Sequence, residues 1–277
     1  MVKLYKDLGK TAKKLLNDDY IYGDKKVEIK TKTTNGITYT TKAKQSQDVK
    51  DGLSGDLSCK YNVSGTTMTT EIFTSGRLSH KVELDKTGVK GLKFTALGGL
   101  GQKQSLLATT EYVHPHMSVV TAVNCLGSQS ISTAAAVGLH GVTAGVKGDF
   151  NIEDKQLKNV DGVLNYSNGK EHEATCYLLN NRSMAKFAYS HLVSDDFSVA
   201  AEFEYNISAD TKKLTMGTKY EVDPETTVKM KIDSAGAVSL SYIQEIRKST
   251  TLTLCSQFDA RHLDKPSHKF GLALVME

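Results

Sequence analysis

The side chains able to act on a solute in this sequence are mostly lysines. Lys30, Lys32, Lys60, Lys81, Lys93, Lys147, Lys219, Lys229 and Lys231 recur along the chain on the parity of its polar residues, and Lys10, Lys13 and Lys14 cluster near the N-terminus. Ammonium groups spread out in this way make a field and do not make bonds. Taken singly, each is a solvated charge on a polar face. Bond-making motifs are missing: the sequence has no P-loop, GxGxxG, GxSxG or HExxH, so neither an enzyme nor a cofactor is expected. His114-Pro115-His116 is the one close histidine pair, and spacing offers it no third ligand, so no metal is expected. Cys59, Cys125, Cys176 and Cys255 stand far apart without a CxxC and read as free thiols.

The elements that carry these lysines are of two kinds. Over about residues 3 to 20, Leu4, Leu8, Ala12, Leu15 and Leu16 recur at helical spacing while lysines fill the other faces, which predicts a short cationic amphipathic helix. Such a helix suits a soluble core, a membrane surface or a wet cavity. After Gly23 the period becomes two. Val199, Ala201, Phe203, Tyr205 and Ile207 alternate with Ala200, Glu202, Glu204 and Asn206; Leu214, Met216, Thr218, Tyr220 and Val222 alternate with Thr215, Gly217, Lys219 and Glu221. Turns are signalled at Asn35-Gly36, Ser75-Gly76, Asp154-Lys155, Asn168-Gly169, Asn180-Asn181, Asp195-Asp196, Asp223-Pro224 and Lys265-Pro266. Dividing there gives about 19 strands after residue 26, each with its turn taking roughly 13 residues, which fits membrane strands joined by tight connections.

Composition agrees with strands: the chain has 22 Gly, 3 Pro and no Trp among 277 residues, with Thr and Ser throughout. Its formal net charge of +4 is too small to imply nucleic acid as a partner. No apolar run is long enough for a membrane helix, and the N-terminus has no apolar signal region, so secretion is not expected. The apolar parity is thin, built from Ala, Thr, Gly, Val and Tyr. A soluble core needs large interdigitating side chains, whereas lipid fills gaps by itself. The opposite parity is polar along the whole chain, as a water-filled lumen requires. The expected fold is therefore all-β: a closed transmembrane β-barrel of about 19 strands over residues 26–277, preceded by a helix and linker over residues 1–25.

The residues also resemble a known family. Tyr5-Lys6-Asp7-Leu8-Gly9-Lys10-Thr11-Ala12 resembles the start of mitochondrial porins, the voltage-dependent anion channel family. Tyr220, Asp223, Pro224, Thr226, Lys231, Ile232, Asp233, Ser234, Ser239, Leu240 and Tyr242 fall at the spacing of the eukaryotic porin signature, with Met230 where a small residue is usual. Gly91-Leu92-Lys93 matches a family triplet, and Lys269, Gly271, Leu274 and Met276 resemble the C-terminal signal read by the outer-membrane insertion machinery. Nineteen is the strand number known for this mitochondrial channel, so the strand count agrees with it and is not independent.

The resemblance implies that the first strand (residues 26–32) and the last (268–276) pair in parallel, with the helix folded inside the pore. It implies a voltage-gated channel of the mitochondrial outer membrane for ions and small hydrophilic metabolites such as ATP, ADP, phosphate and organic anions. Membrane lipid and the transported anions and nucleotides are its implied partners, and self-association occurs in the family. Lys10, the one lysine inside a matched motif, is the implied nucleotide contact. About 19 strands spaced 4.8 Å and tilted near 40° give a backbone diameter of roughly 38 Å, so hydrated solutes pass and selectivity is set by field. The lysine excess on the inward parity, with Lys10, Lys13 and Lys14 at the constriction, predicts weak anion preference. A family position for a lipid-facing Glu falls on Thr70, with Glu71 on the opposite parity. The nearest rival is a protein-translocating barrel of the same membrane, which would carry a longer N-terminal extension and a more acidic lumen; a soluble β-rich binding protein is the other.

Overall fold

Alternation lets each segment adopt extended backbone and divides its side chains between two faces. The computed structural model describes residues 2–46, 52–85, 88–101, 104–127, 129–169, 171–264 and 268–277. Its first nine strands are β1 (Asp24–Lys32), β2 (Thr38–Ser46), β3 (Leu53–Val63), β4 (Thr66–Phe73), β5 (Leu78–Leu84), β6 (Leu92–Leu100), β7 (Ser105–Val113), β8 (Met117–Asn124) and β9 (Ser130–Leu139). Then come β10 (Val142–Asn151), β11 (Gln156–Ser167), β12 (His172–Leu179), β13 (Met184–Ser194), β14 (Phe197–Asn206), β15 (Thr211–Asp223), β16 (Thr226–Asp233), β17 (Ala237–Arg247), β18 (Thr250–Asp259) and β19 (Lys269–Met276).

Each strand pairs antiparallel with the next, and β1 closes on β19 in parallel, from Lys25 opposite Leu272 to Ile29 opposite Met276. Parallel closure follows from the odd number, because the first and last strands of an up-and-down series of 19 run the same way. Closure leaves no sheet edge, so each strand is paired on both sides within the barrel wall. No helix among the described residues is long and apolar enough to cross a membrane.

The buried residues settle which face is which. Leu16, Asn165, Thr175, Ser118, Ser239 and Ser241 are the largest fully buried side chains, while Leu214, Met216, Tyr220, Met230 and Phe270 stand exposed on the outer face. No tightly packed interior holds this wall together; its large apolar residues look outward, as a lipid-facing surface does. The N-terminal segment lies on the polar side, inside.

Three boundaries differ from the sequence reading. The first strand starts at Asp24, two residues early, and the last at Lys269. The N-terminal helix is not continuous: a 3-10 turn over Tyr5–Asp7 precedes α1 (Lys10–Asn17), and Gly9 between them has φ 66°. That left-handed backbone breaks helical continuity at a residue without a Cβ. The turns at Asn35-Gly36, Ser75-Gly76, Asp154-Lys155 and Asn180-Asn181 form as expected; the turn expected at Lys265-Pro266 lies outside the described residues.

Candidate functional site

A chain segment inside a hollow barrel needs a reason to stay against the wall, and α1 has an apolar one. Ala12, Leu15 and Leu16 are 1–5% exposed and pack on Ala188 of β13 and Ala200 of β14, with Tyr177 of β12 beside them. Ahead of them Val2 and Leu8 pack on Ala136 and Val163. Burying each leucine is worth on the order of 2 kcal/mol. The wall residues here are small because the helix comes close: a Cβ on Gly217 would lie 2.7 Å from Leu16 Cδ2, and one on Gly145 would lie 2.9 Å from Tyr5 Cδ2.

Polar tethers fix the segment along its length. The Glu173 carboxylate accepts from Lys3 Nζ at 2.8 Å and from the Thr11 backbone N–H at 3.2 Å, and Lys6 Nζ reaches Glu111 at 2.6 Å. Tyr177 donates its hydroxyl to the Leu8 carbonyl at 2.7 Å. At the far end Lys229 Nζ meets Asp19 at 2.6 Å, and the Asp19 carbonyl accepts from Ser241 at 2.7 Å and from Cys255 Sγ at 2.9 Å. Lys231 donates to the Leu16 carbonyl at 2.7 Å and lies 4.3 Å over the Tyr20 ring. Burial pushes the Tyr5 phenol up to about 12, so that ring is a neutral filler at physiological pH.

The Asp19–Lys229 pair gives a direct test of this latch. Lys229 is 7% exposed on its side chain and Asp19 44%, so Asp19→Asn strands a nearly buried ammonium next to a half-exposed neutral group. Asn tolerates the φ of 69° that Asp19 adopts, so the backbone contacts survive. The expected cost, reduced for the solvent around Asp19, is about 1 kcal/mol of linker docking. Limited proteolysis of residues 1–23 in detergent should speed up by about fivefold; an unchanged rate would mean the pair contributes nothing.

The register places every strand lysine singled out above on the lumen side. Lys219 faces Lys229 across β15 and β16, Lys231 faces Gly217, and Lys93 faces Glu111. They do not form one patch. Seven of the twelve have a carboxylate partner: Lys10 with Asp7 at 2.9 Å, Lys81 and Lys93 with Glu83 at 3.0 Å each, Lys147 with Asp149 at 3.0 Å, Lys229 with Asp19, Lys30 with Glu277 and Lys219 with Glu221. The hydrogen bond to Asp7 raises the pKa of the Lys10 ammonium. Lys13, Lys14, Lys32 and Lys60 are exposed and form no ion pair with a described residue. Lys32 and Lys60 flank Thr38 on β1 and β3.

The closest gathering is a cavity of about 730 Å³ between the helix and the wall, lined by Lys3, Lys10, Lys14, Lys219 and Lys229 against Asp7, Asp18 and Asp19. Five ammonium groups face three carboxylates there, in a space open to the lumen. Such a cavity attracts small anions weakly and releases them quickly.

The C-terminal group divides by parity: Lys269 and Gly271 face the lumen, Leu274 and Met276 face outward. Thr70 faces outward, with His80 Nδ1 2.9 Å from its hydroxyl, and Glu71 faces the lumen opposite Ser79. The rings of His114 and His116 are 6.1 Å apart, and no group of three metal-ligating side chains occurs among the described residues.

Asp19, Glu173, Tyr177, Ser241 and Cys255 were not singled out by the sequence, yet they hold the N-terminal segment. Only the Asp18-Asp19 doublet at the helix end hinted at a role, and its lysine partner lies 210 residues away.

Comparison with known proteins extends over the whole chain. The eukaryotic porin family model matches residues 2–271. "Mitochondrial outer membrane protein porin 3" of Arabidopsis thaliana is 26% identical over 275 residues, covering 99% of this chain and 97% of the relative. The "Voltage-dependent anion-selective channel" of Drosophila melanogaster is 27% identical over 280 residues, covering 99% and 98%. The "Mitochondrial outer membrane protein porin" of Candida albicans is 29% identical over 276 residues, covering 98% and 97%. With a family match across nearly its full length and a closed 19-stranded barrel around a docked N-terminal helix, this chain belongs to the eukaryotic porin family.

Proposed function

We propose that the protein is a voltage-gated, weakly anion-selective diffusion channel of the mitochondrial outer membrane, passing inorganic ions and small hydrophilic metabolites such as ATP, ADP, phosphate and organic anions. The single observation that carries the reading is the lysine-rich cavity between α1 and the wall: Lys10, Lys14, Lys219 and Lys229 border the path a solute must take past the helix. Ions within a Debye length of about 10 Å at 0.1 M salt feel those charges without being bound by them. Preference is then weak and falls as salt rises. Lys10, which lines this cavity, is the contact for nucleotide phosphates, and Lys13, Lys14, Lys32 and Lys60, unpaired among the described residues, set the sign of the field. The reaction is diffusion, with no bond made or broken. Membership of the porin family supports a setting in the mitochondrial outer membrane, the membrane named for the Arabidopsis and Candida relatives.

Planar-bilayer recording in a tenfold KCl gradient tests it. The reversal potential should take the anion sign, conductance should fall at high voltage of either polarity, and millimolar ATP should reduce the open current. Raising the mean salt tenfold should shrink the reversal potential towards zero. A reversal potential of cation sign, or a protein that leaves the bilayer silent, would overturn the proposal.

A further inference from the structure

The outer face of the barrel carries one feature that a lipid-facing wall does not need. A groove of about 530 Å³ crosses β16 to β19 and reaches β1 at the parallel seam. Its floor exists because of one small residue. Ser256 points outward between Leu240 of β17 and Phe270 of β19, so a notch opens where the flanking strands carry large side chains. Beside the notch runs a continuous cross-strand row: Lys25 opposite Leu272, Leu272 opposite Leu254, Leu254 opposite Tyr242, Tyr242 opposite Val228.

The row has a direction. Lys25 is the second residue of β1 and sits at the rim where the linker enters, whereas Leu254, Tyr242 and Val228 are each six residues in from that rim on their strands. Four strand spacings of about 4.8 Å make the row roughly 19 Å long, and a strand tilt near 40° turns that into about 12 Å of depth, close to one leaflet's hydrocarbon. One end of the groove is therefore at headgroup level and the other near mid-bilayer.

Its cation has no ion-pair partner among the described residues. Lys25 is exposed, and its register puts it on the outer face. The carboxylates of β1 and β16 to β18, Asp24, Glu28, Asp233, Glu245 and Asp259, all take the lumen parity; Asp24 is held by Lys44 at 2.8 Å and Glu28 by Lys26 at 3.1 Å. Lys25 itself forms no ion pair with a described residue. A rim ammonium with no counterion among the described residues, opening onto an apolar channel as deep as one leaflet, complements a molecule with an anionic head and a hydrocarbon tail.

We propose that this groove holds one anionic phospholipid of the bilayer, its phosphate on the Lys25 ammonium and an acyl chain along the row from Leu272 to Val228. The inference rests on the membrane setting of the porin reading, and it concerns the outer face alone. Neutral lipid gains the groove but not the charge; anionic lipid gains both.

Native mass spectrometry of the intact channel released from nanodiscs tests it, with phosphatidylcholine discs containing either phosphatidylglycerol or cholesterol. The wild type should retain one phosphatidylglycerol about fivefold over phosphatidylcholine. Lys25→Gln should bring that ratio to about one, and Ser256→Leu, which fills the notch, should reduce retention of both lipids. Lys212→Gln, at an outward strand lysine of β15, should change nothing. Equal retention of the two phospholipids by the wild type, preferential retention of cholesterol, dimers that exclude lipid, or insensitivity to Lys25→Gln would each overturn the site. Parallel bilayer recordings separate the two readings: all four proteins should conduct alike, and silence from a wild type that still retains its lipid would fault the channel and not the groove.

Discussion

Changing Lys13, Lys14, Lys32 and Lys60 together to glutamate is expected to turn the pore from anion-preferring to cation-preferring. Each substitution moves the lumen by two charges, so the four take the chain's formal net charge from +4 to −4. These four are the ones to change because none of them holds anything: all are exposed and unpaired among the described residues, so the wall and the docked helix survive the substitution. Changing paired lysines would shift the field equally per charge but would also break structure. Lys229→Glu, for instance, would set a carboxylate against Asp19 in place of a 2.6 Å ion pair and unseat the linker. The reversal potential in a tenfold KCl gradient should change sign at 0.1 M salt and approach zero at 1 M, where the Debye length falls to about 3 Å. Open conductance should stay within about twofold, because the diameter is set by strand number and tilt. A variant that keeps the anion sign would place selectivity elsewhere than in the free lysines.

Gly271 carries the second large effect. It lies on the lumen parity of β19, and a Cβ there would run into the backbone carbonyl of Ile21, which no side-chain rotation can relieve. The linker crosses the wall at this point, with the Gly23 N–H donating to the Phe270 carbonyl at 3.0 Å. Gly271→Val must therefore push residues 21–24 off the wall or distort β19 next to the parallel seam. A clash of this kind costs about 3 kcal/mol. The midpoint of urea unfolding in detergent should fall by about 1 to 3 M, with slopes of about 1–3 kcal/mol/M. The same residue belongs to the motif that resembles the insertion signal, and the two roles separate cleanly. Refolding of purified protein involves no insertion machinery, so a variant that refolds to wild-type stability in vitro would leave Gly271 with the signal alone.

The lysines show where sequence reading stops being sufficient. Period two after Gly23 assigned each strand lysine a parity, and parity in a closed sheet is binary, so the lumen side follows from local alternation. Pairing does not. Whether Lys81 is free depends on Glu83 two residues along, which is visible in the sequence; whether Lys229 is free depends on Asp19, which is not. In the same way α1 was legible from Leu15 and Leu16, but its break at Gly9 was not, because it goes with close approach to the wall, where a Cβ on Gly9 would strike the Tyr177 hydroxyl. The outer notch at Ser256 was invisible, because a single serine among apolar strand residues becomes a groove only when Leu240 and Phe270 stand on either side of it.

Alternation, turn residues and a thin apolar parity were enough to point to a closed barrel with a polar lumen and a cationic helix at its start, because each depends on neighbours within a few residues; the number of strands was read together with the family resemblance. The tertiary structure alone decided which wall residues that helix rests on, which lysines remain uncompensated among the described residues and in which register the first and last strands meet. Those outcomes depend on contacts between residues roughly one hundred to two hundred and fifty positions apart, brought together only when the sheet closes on itself.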